Sequence, residues 1–344
     1  MGSRVTVVGP GGVGAVLAAA CLAAGGEVSV LGRRGPHLAA IADRGLQVSV
    51  PGEPREVRLR VPAASEPAEL PEPDLVVMCV KSQDLAAAAR GVRGWLEQGA
   101  ELLVVVNGVP WWLPSTVDAF GDDPVLRSVD PEGALLRLLP PGRAMAGVAH
   151  FTSAVAAPGH VTHTSGTKLL IGDPLGGVTD RIVRCAEAFS GSDLDVAPVA
   201  DIRVAVWEKL LGNVNLNPIS ALTGATVADI LDDRELWRLC SGMFDEAAAV
   251  GAKLGIPTPM TAGQRLDIAR QLGAFRTSML QDAEAGRPLE LAAIVGAVRE
   301  LALRTGVPSP LTDAVHALLA CRERLPGATS RTHRIHDNQP RRIS

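Results

Sequence analysis

A glycine-rich turn near the start of the chain restricts the fold more than any other segment. Residues 5–8 form a short apolar run, the letters GPGGVG follow at residues 9–14, and an alanine-rich stretch suited to a helix comes next. In a G-x-G-x-x-G pattern between a strand and a helix, glycines permit a tight turn and a close approach to a pyrophosphate, and the helix N-terminus offers free N–H groups to that anion. The predicted dinucleotide-binding glycines are Gly9, Gly11, Gly12 and Gly14. A purely structural glycine turn is the alternative.

Strands and helices continue to alternate beyond this turn. Strand-like runs occur at residues 28–31 and 47–50, in DLVVMCV ending at Val80 and in ELLVVV at residues 101–106. Strands that are apolar on both faces and separated by helices predict a parallel sheet covered on both sides. Beyond residue 143, β-branched runs such as GHVTHT and KLLIG, separated by turn residues, are predicted to be later strands of the same domain.

The second part of the chain has a different pattern. After Asp201 the strand signals stop, and Ala/Leu-rich helical patterns broken by Gly and Pro continue to about Arg324. The sequence therefore predicts an α/β fold with a Rossmann-type domain at residues 1–199 and an all-helical domain at residues 200–326. The segment 327–344 has few apolar residues and is predicted to be a disordered tail.

Composition narrows the function classes. The formal net charge is -4 without a basic stripe, so nucleic acid is not an expected partner. Because no uncharged run reaches the length of a membrane-spanning helix, a membrane is not expected either. Five scattered cysteines without a C-x-x-C pair indicate reduced thiols in the cytoplasm and no metal site. A homodimer is left open, since Ala/Leu helix faces serve an interface or a core equally well.

Three polar residues follow strands of the predicted sheet. An acid commonly ends the second strand of an NAD site, whereas this chain has Arg33 there, and a guanidinium can bind the 2′-phosphate of NADP(H). Lys81 follows the fourth predicted strand and Asn107 the fifth. Carboxyl ends of parallel strands share one edge, so both are expected beside the cofactor, although surface arginines and ordinary loop residues are the plain alternatives.

The stretch WEKLLGNVNLNP, residues 207–218, combines a helical pattern with poor helix formers. Lys209, Asn213 and Asn217 are four residues apart, so they lie within an arc of about 80° on one helix face. A cation and two amides on an otherwise apolar helix predict a site, with a polar stripe toward the first domain as the alternative. Asn215 falls off this stripe and is expected to cap the helix or to face solvent.

Two further residues come from the segment TSMLQDAEAGRPLE. Glu290 stands between two leucines, and an acid in apolar company often pairs with a base or a ligand because an unpaired buried charge is costly. The alternative is an acid favoured at a helix start by the helix dipole. Ser278 opens the motif S-M-x-Q-D in the same segment.

The order of these motifs resembles the ketopantoate reductase (2-dehydropantoate 2-reductase) family. The similarity spans residues 3–325 and is most specific in K-x3-N-x3-N-P from Lys209, in S-M-x-Q-D from Ser278 and in the glutamate at position 290. Members are NADPH enzymes with a Rossmann domain followed by a helical domain like the C-terminal domain of 6-phosphogluconate dehydrogenase. The segments NGVPWW and NPISALTGAT resemble those of one bacterial branch.

The resemblance implies a role for each matching residue. Lys209 matches the catalytic lysine that protonates the ketone oxygen, and Glu290 the acid that binds substrate and supports this lysine. Substrate-binding residues matched are Asn213, Asn217, Ser278 and Asn107. Cofactor-site residues matched are Gly9, Gly11, Gly12, Gly14, Arg33, Lys81 and Asn107. The implied cofactor is NADP(H), the implied partner is a small-molecule 2-keto acid, and no metal is required.

One departure from the family pattern leaves the identity of the substrate open. Some members carry a further substrate-contacting Asn in the segment that reads TGATV here, residues 223–227. We therefore expect reduction of a 2-keto acid, with ketopantoate to pantoate in pantothenate and coenzyme A synthesis as the first hypothesis. The second is a related dehydrogenase for another keto or hydroxy acid, and the third is a non-catalytic NADP-sensing protein.

Overall fold

The computed structural model describes residues 3–51 and 56–325. The described part of the chain divides into two compact units between Lys209 and Leu210. The border that the sequence places between residues 199 and 200 stays a prediction as a domain boundary. The tail predicted at residues 327–344 lies outside the described residues.

The first unit is built on one mixed sheet, which has ten strands among the described residues. The strands are Arg4–Val8 (β1), Glu27–Leu31 (β2), Leu46–Ser49 (β3), Glu56–Leu59 (β4), Ala63–Ala64 (β5), Leu75–Met78 (β6), Glu101–Val105 (β7), Met145–Ala157 (β8), His160–Gly172 (β9) and Asp195–Pro198 (β10). The helices of this unit are Gly12–Ala23 (α1), Pro36–Arg44 (α2), Leu85–Gly91 (α3), Arg93–Glu97 (α4), Ala134–Leu138 (α5) and Asp180–Glu187 (α6).

Six parallel strands form the part of the sheet that matters for binding. They lie in the order β5-β2-β1-β6-β7-β8, each parallel to its neighbours. Counted along the chain, this is the 3-2-1-4-5-6 order of a dinucleotide-binding sheet, whose ligands bind outside the carboxyl ends of the strands. The four residues of β6 are at most 5% exposed, as expected for a strand covered on both faces. The predicted Rossmann-type fold is thus confirmed.

A long antiparallel hairpin extends this sheet. β8 pairs with β9, and β9 also pairs with β3 and with β10. Apart from its first residue, Gly159, the run GHVTHT lies together with KLLIG in the single strand β9. Both runs are strand, as predicted, but the prediction that turn residues separate them is wrong. Gly166 has a φ of +75° beside a shift in the strand register. Because a bulge accommodates a positive-φ glycine, the strand continues through it.

The second unit is helical. Its helices are Val227–Asp232 (α8), Arg234–Lys253 (α9), Ala262–Arg270 (α10), Ser278–Glu284 (α11), Ala297–Thr305 (α12) and Pro310–Arg324 (α13), and a π-helical segment covers Ala292–Gly296. Capping boxes at Thr226 and Thr261 start two of these helices, because each threonine side chain accepts from the third residue of its helix. Within the described ranges, no helix combines the length and apolar composition that crossing a bilayer requires.

Helix α7, Ile202–Thr223, contains the border between the two units. Its start is held within the first unit, where the Arg203 backbone N–H donates to the Asp201 carboxylate at 3.0 Å. The Arg203 guanidinium also hydrogen-bonds this carboxylate and lowers the pKa of Asp201, and it donates to the Thr116 carbonyl oxygen at 3.1 Å. These bonds fix the start of the helix to the first unit.

Candidate active site

The glycine turn connects β1 to α1 as predicted. Gly9 has a φ of +85°, a conformation that other residues rarely adopt, and its N–H donates to the Leu31 carbonyl oxygen at 2.9 Å. An added Cβ on Gly14 would collide with the Gly9 carbonyl oxygen, and one on Gly12 would lie 2.7 Å from the Ser153 carbonyl oxygen. Three of the four glycines are therefore required by conformation or by close packing.

Gly11 is the exception, and it bears on whether a dinucleotide fits. Its φ of -76° is ordinary, and an added Cβ would meet no atom within 4 Å. Packing therefore does not explain this glycine, whereas close approach of a pyrophosphate would. Gly11 caps α1, a 12-residue helix without an acid in its first turn, so the helix presents N–H groups and a positive dipole end beside this open space. The turn fits a dinucleotide phosphate.

Arg33 lies just beyond the carboxyl end of β2. Its side chain is 86% exposed, and its nearest acid is Asp84, with an N···O distance of 3.5 Å. An exposed ion pair at this distance stabilises the protein by at most about 1 kcal/mol. A bound phosphate can therefore replace Asp84 as the partner of the guanidinium. Arg34 faces Glu66 in the same way at 3.7 Å. The position suits a 2′-phosphate, and Arg33 as a cofactor residue stays a prediction.

Lys81 and Asn107 follow β6 and β7, whose carboxyl ends lie at the same edge of the sheet as that of β1. A bond that the sequence reasoning missed links the two loops: the buried Ser82 hydroxyl donates to the Asn107 carbonyl oxygen at 3.0 Å. An added Cβ on Gly9 would lie 2.9 Å from Val80, so the first loop also packs against the glycine turn. The structure thus brings the predicted glycines, Lys81 and Asn107 to one edge of the first unit.

Lys209, Asn213 and Asn217 share helix α7, as the sequence predicts. Lys209 and Asn213 are partly buried, and Asn217 is only 5% exposed. The amides of Asn213 and Asn217 make no hydrogen bond to a described residue of the second unit, to which both belong. Polar groups inside a protein normally have hydrogen-bond partners, so these two amides are candidates to bind a ligand.

Asn215 corrects the expectation that it caps the helix or faces solvent. Its side chain is fully buried, and Nδ2 donates to the Leu211 carbonyl oxygen at 3.2 Å and to the Cys240 carbonyl oxygen at 3.1 Å. The second bond joins α7 to α9. The expectation fails because the partner helix lies far along the sequence, where helical periodicity gives no information about it. Asn215 is a structural cross-link.

Ser278 is the first residue of α11 and is exposed. Its neighbour Thr277 caps this helix by accepting from the Leu280 N–H at 3.2 Å. The Thr277 hydroxyl also hydrogen-bonds the Ser220 hydroxyl of α7, and both residues are buried. Thr277 and Ser220, which the sequence reasoning missed, therefore fix the helix start from which Ser278 projects.

Glu290 is partly buried directly before a helix, so both the site interpretation and the helix-start interpretation fit its position. Two contacts hold its loop. The Arg287 guanidinium donates to the Asp282 carboxylate at 2.7 Å, and the Leu289 N–H donates to the Glu323 carboxylate at 3.1 Å. The π-helical segment Ala292–Gly296 follows almost at once, and such segments are frequent at functional sites.

The predicted site residues thus fall into a group in each unit, with helix α7 in both. The first group contains the glycines, Arg33, Lys81, Asn107 and Lys209, and the second contains Asn213, Asn217, Ser278 and Glu290. Throughout residues 3–51 and 56–325, no group of His, Cys, Asp and Glu side chains could hold a metal ion. The assignment of individual residues stays a prediction.

Known families match almost the whole chain. The profile described as ketopantoate reductase PanE/ApbA matches residues 5–176, and the one described as ketopantoate reductase PanE/ApbA C terminal matches residues 201–323. A 2-dehydropantoate 2-reductase from Mesorhizobium japonicum is 37% identical over 316 residues, which are 92% of this chain and 96% of that protein. The resemblance stated from the motifs is therefore confirmed.

Solved structures agree with this result. A crystal structure of a protein from Ralstonia solanacearum MolK2 is 37% identical, with a TM-score of 0.86, and the match covers 93% of this chain and 97% of that one. The ternary structure of D-mandelate dehydrogenase with NADH and anilino(oxo)acetate is 19% identical, with a TM-score of 0.79 over 93% of this chain and 98% of that one. At that identity the likeness shows the fold alone.

Proposed function

The chain belongs to the ketopantoate reductase family, and on that premise we propose that it reduces 2-dehydropantoate (ketopantoate) to pantoate with NADPH. The observation that carries this proposal is the polar stripe of helix α7. Lys209, Asn213 and Asn217 occupy one face, while the intervening Asn215 is used in a structural cross-link. A stripe that served only solubility would be exposed, whereas Asn217 is buried and Lys209 and Asn213 are partly buried.

The proposed mechanism assigns each polar group to a charge that the reaction creates or a group that it must hold. NADPH, when bound, would supply the hydride that the keto carbon accepts. Lys209 stabilises the negative charge that develops on the keto oxygen and donates the proton to it. Ser278 holds the substrate carboxylate, Glu290 binds the substrate, and the amides of Asn213 and Asn217 fix its orientation.

The cofactor is a nicotinamide dinucleotide, as in the family, and we propose that it is NADP(H) rather than NAD(H). Arg33 replaces the acid that ends the second strand in many NAD sites, and its exposed guanidinium can bind a 2′-phosphate in a bidentate manner. Gly9, Gly11, Gly12 and Gly14 would hold the pyrophosphate. Lys81 and Asn107 would line the nicotinamide end.

A second candidate is a related dehydrogenase for a different keto or hydroxy acid. It is favoured by the segment at residues 223–227, where some family members supply a further substrate-binding amide. Here the segment ends in Val227, which starts α8, is 1% exposed and packs in the apolar core of the second unit. The segment TGATV supplies no amide at this place, so a contact that some family members make with their substrate is absent.

One experiment separates these candidates. NADPH consumption would be followed with a panel of 2-keto acids that includes ketopantoate, and each would be repeated with NADH. We expect the highest kcat/KM with ketopantoate and NADPH, and a selective fall in kcat/KM for NADPH in Arg33→Gln. A preference for another keto acid would support the second candidate. NADPH binding without turnover of any acid would indicate a non-catalytic sensor.

Location and assembly are part of the proposal. The described cysteines are all unpaired thiols, and burial raises the pKa of the Cys185 and Cys240 thiols to about 12. Unpaired thiols suit the reducing cytoplasm, where we place the enzyme. Whether it acts there as a homodimer would be measured by light scattering of the purified protein.

A further inference from the structure

His37 connects the glycine turn to a distant part of the first unit. Its Nε2 lies 2.7 Å from the Pro10 carbonyl oxygen, and the Gly159 backbone nitrogen lies 3.1 Å from its Nδ1. Pro10 is the second residue of the GPGGVG turn, and Gly159 lies in the turn between β8 and β9. One partly buried imidazole therefore bridges two segments that are about 150 residues apart in sequence.

The two contacts indicate which ring nitrogen carries a proton. A backbone N–H can only donate, so Nδ1 must accept from Gly159 and carries no proton. A carbonyl oxygen can only accept, so Nε2 must carry the proton and donate to Pro10. The two contacts therefore fit the tautomer that carries its proton on Nε2.

The far end of this bridge is firmly held. Gly159 has a φ of +79°, and its carbonyl oxygen accepts from the Gln47 N–H at 2.8 Å. An added Cβ on Gly159 would lie 3.0 Å from the Ala40 Cβ of α2, so this turn packs against the helix that carries His37. The Gly159 N–H therefore reaches the imidazole from a fixed direction.

The near end determines the shape of the phosphate-binding turn. The Pro10 carbonyl belongs to the peptide group whose N–H, on Gly11, donates to the Gly9 carbonyl oxygen at 2.8 Å. A hydrogen bond at each end of this planar peptide group fixes its orientation. Directly after it lies Gly11, the glycine whose open space suits a pyrophosphate. Rotation of the peptide group would move Gly11 and the first N–H groups of α1.

We propose that His37 is a positioning residue for the cofactor, which holds the Pro10 peptide so that the glycine turn is preformed for the dinucleotide pyrophosphate. The proposal rests on the proposed function, because it assumes a dinucleotide at this turn. His37 belongs to the same short segment as Arg33, so a single stretch carries the anchor of the pyrophosphate turn and the predicted 2′-phosphate ligand.

Three substitutions of His37 test the bridge atom by atom. Glutamine places an amide N–H near the position of Nε2 and can still donate to Pro10, whereas asparagine places its oxygen near Nδ1 and can accept only from Gly159. Alanine removes both bonds. NADPH affinity of the purified full chain would be measured by fluorescence titration without a keto acid, and KM and kcat would then be measured with the best acid of the panel.

We expect Kd and KM for NADPH to rise about tenfold in His37→Ala and His37→Asn, the equivalent of one lost hydrogen bond, and to stay within about threefold of the original in His37→Gln. The kcat at saturating NADPH and the KM for the keto acid should not change, because the bridge does not touch the substrate. Thermal unfolding of each variant shows whether it is folded, and the Gln and Asn pair remains informative if the alanine variant is not.

Three results would overturn the proposal: unchanged NADPH affinity in the alanine and asparagine variants, equal losses in glutamine and alanine, or a fall confined to kcat. Failure of the proposed function has a different signature. In that case the original chain binds NADPH but turns over no keto acid, and the affinity comparison among the His37 variants still decides the role of His37. A chain that binds neither NADPH nor NADH overturns both proposals.

Discussion

The glycine turn and the polar stripe of helix α7 were both conspicuous in the sequence, yet they differ in what determines their structure. The structure of the turn depends on backbone conformation and on the absence of side chains, because Gly9 has a positive φ and Gly14 has no room for a Cβ. In α7 the backbone is a regular helix, and the role of each side chain depends on the residues or ligand that its face of the helix contacts. Asn215 and Asn217 are two residues apart and both buried, but only Asn215 cross-links two helices.

This difference explains why the glycine turn indicates function more specifically than the asparagines of α7 do. A glycine pattern between a strand and a helix requires a particular backbone, so few other structures satisfy it. An asparagine in a helix satisfies several needs, including a buried cross-link, a cap and a ligand contact. A functional assignment in α7 therefore needs experiments that separate binding from stability residue by residue.

The largest effect is expected for Lys209. Lys209→Ala removes the proposed proton donor, and loss of general-acid catalysis should lower kcat by about 10²- to 10⁴-fold. NADPH affinity should stay near that of the original chain, because the glycine turn is intact. Turnover and NADPH titration would be measured on the same preparation. Lys253→Ala, at the exposed end of α9, is the matched control and should behave like the original chain. Retained turnover in Lys209→Ala would remove Lys209 as the acid.

Substitutions of the glycines in the turn should separate those needed for stability from those needed only for cofactor binding. In Gly14→Ala the added Cβ meets the Gly9 backbone, so we expect weaker NADPH binding together with a loss of about 1–3 kcal/mol in the free energy of unfolding, as for overpacked cores. Gly11→Ala has an ordinary φ and open space, so its stability should be unchanged while NADPH binding weakens. Urea unfolding and NADPH titration measure both properties. Normal NADPH affinity in Gly11→Ala would show that the open space does not serve the cofactor.

Features set by local sequence could be predicted, and features set by distant partners could not. The glycine turn, the strand ends carrying Lys81 and Asn107, and the helix around Lys209 follow from residues within a few positions of each other. The Ser82 bond to the Asn107 carbonyl and the Asn215 bond to Cys240 each join segments about 25 residues apart, so no periodicity reports them. The sequence prediction divides strand β9 wrongly because a glycine such as Gly166 by itself indicates a turn. In the structure β9 pairs with β8 on both sides of Gly166, so the glycine lies at a bulge.

The smallest effect, and the sharpest separation of binding from stability, is expected within α7 itself. Asn215→Ala removes the bond to Cys240, and the loss of buried hydrogen bonds should lower the free energy of unfolding by about 1–2 kcal/mol while KM and kcat stay unchanged. Asn217→Ala should do the reverse and raise the KM for the keto acid with little change in stability, because its amide has no described hydrogen-bond partner in the second unit. Urea unfolding and steady-state kinetics on both variants test the pair. If Asn217→Ala loses stability and keeps its KM, Asn217 is a second structural asparagine, and the proposed substrate stripe reduces to Lys209 and Asn213.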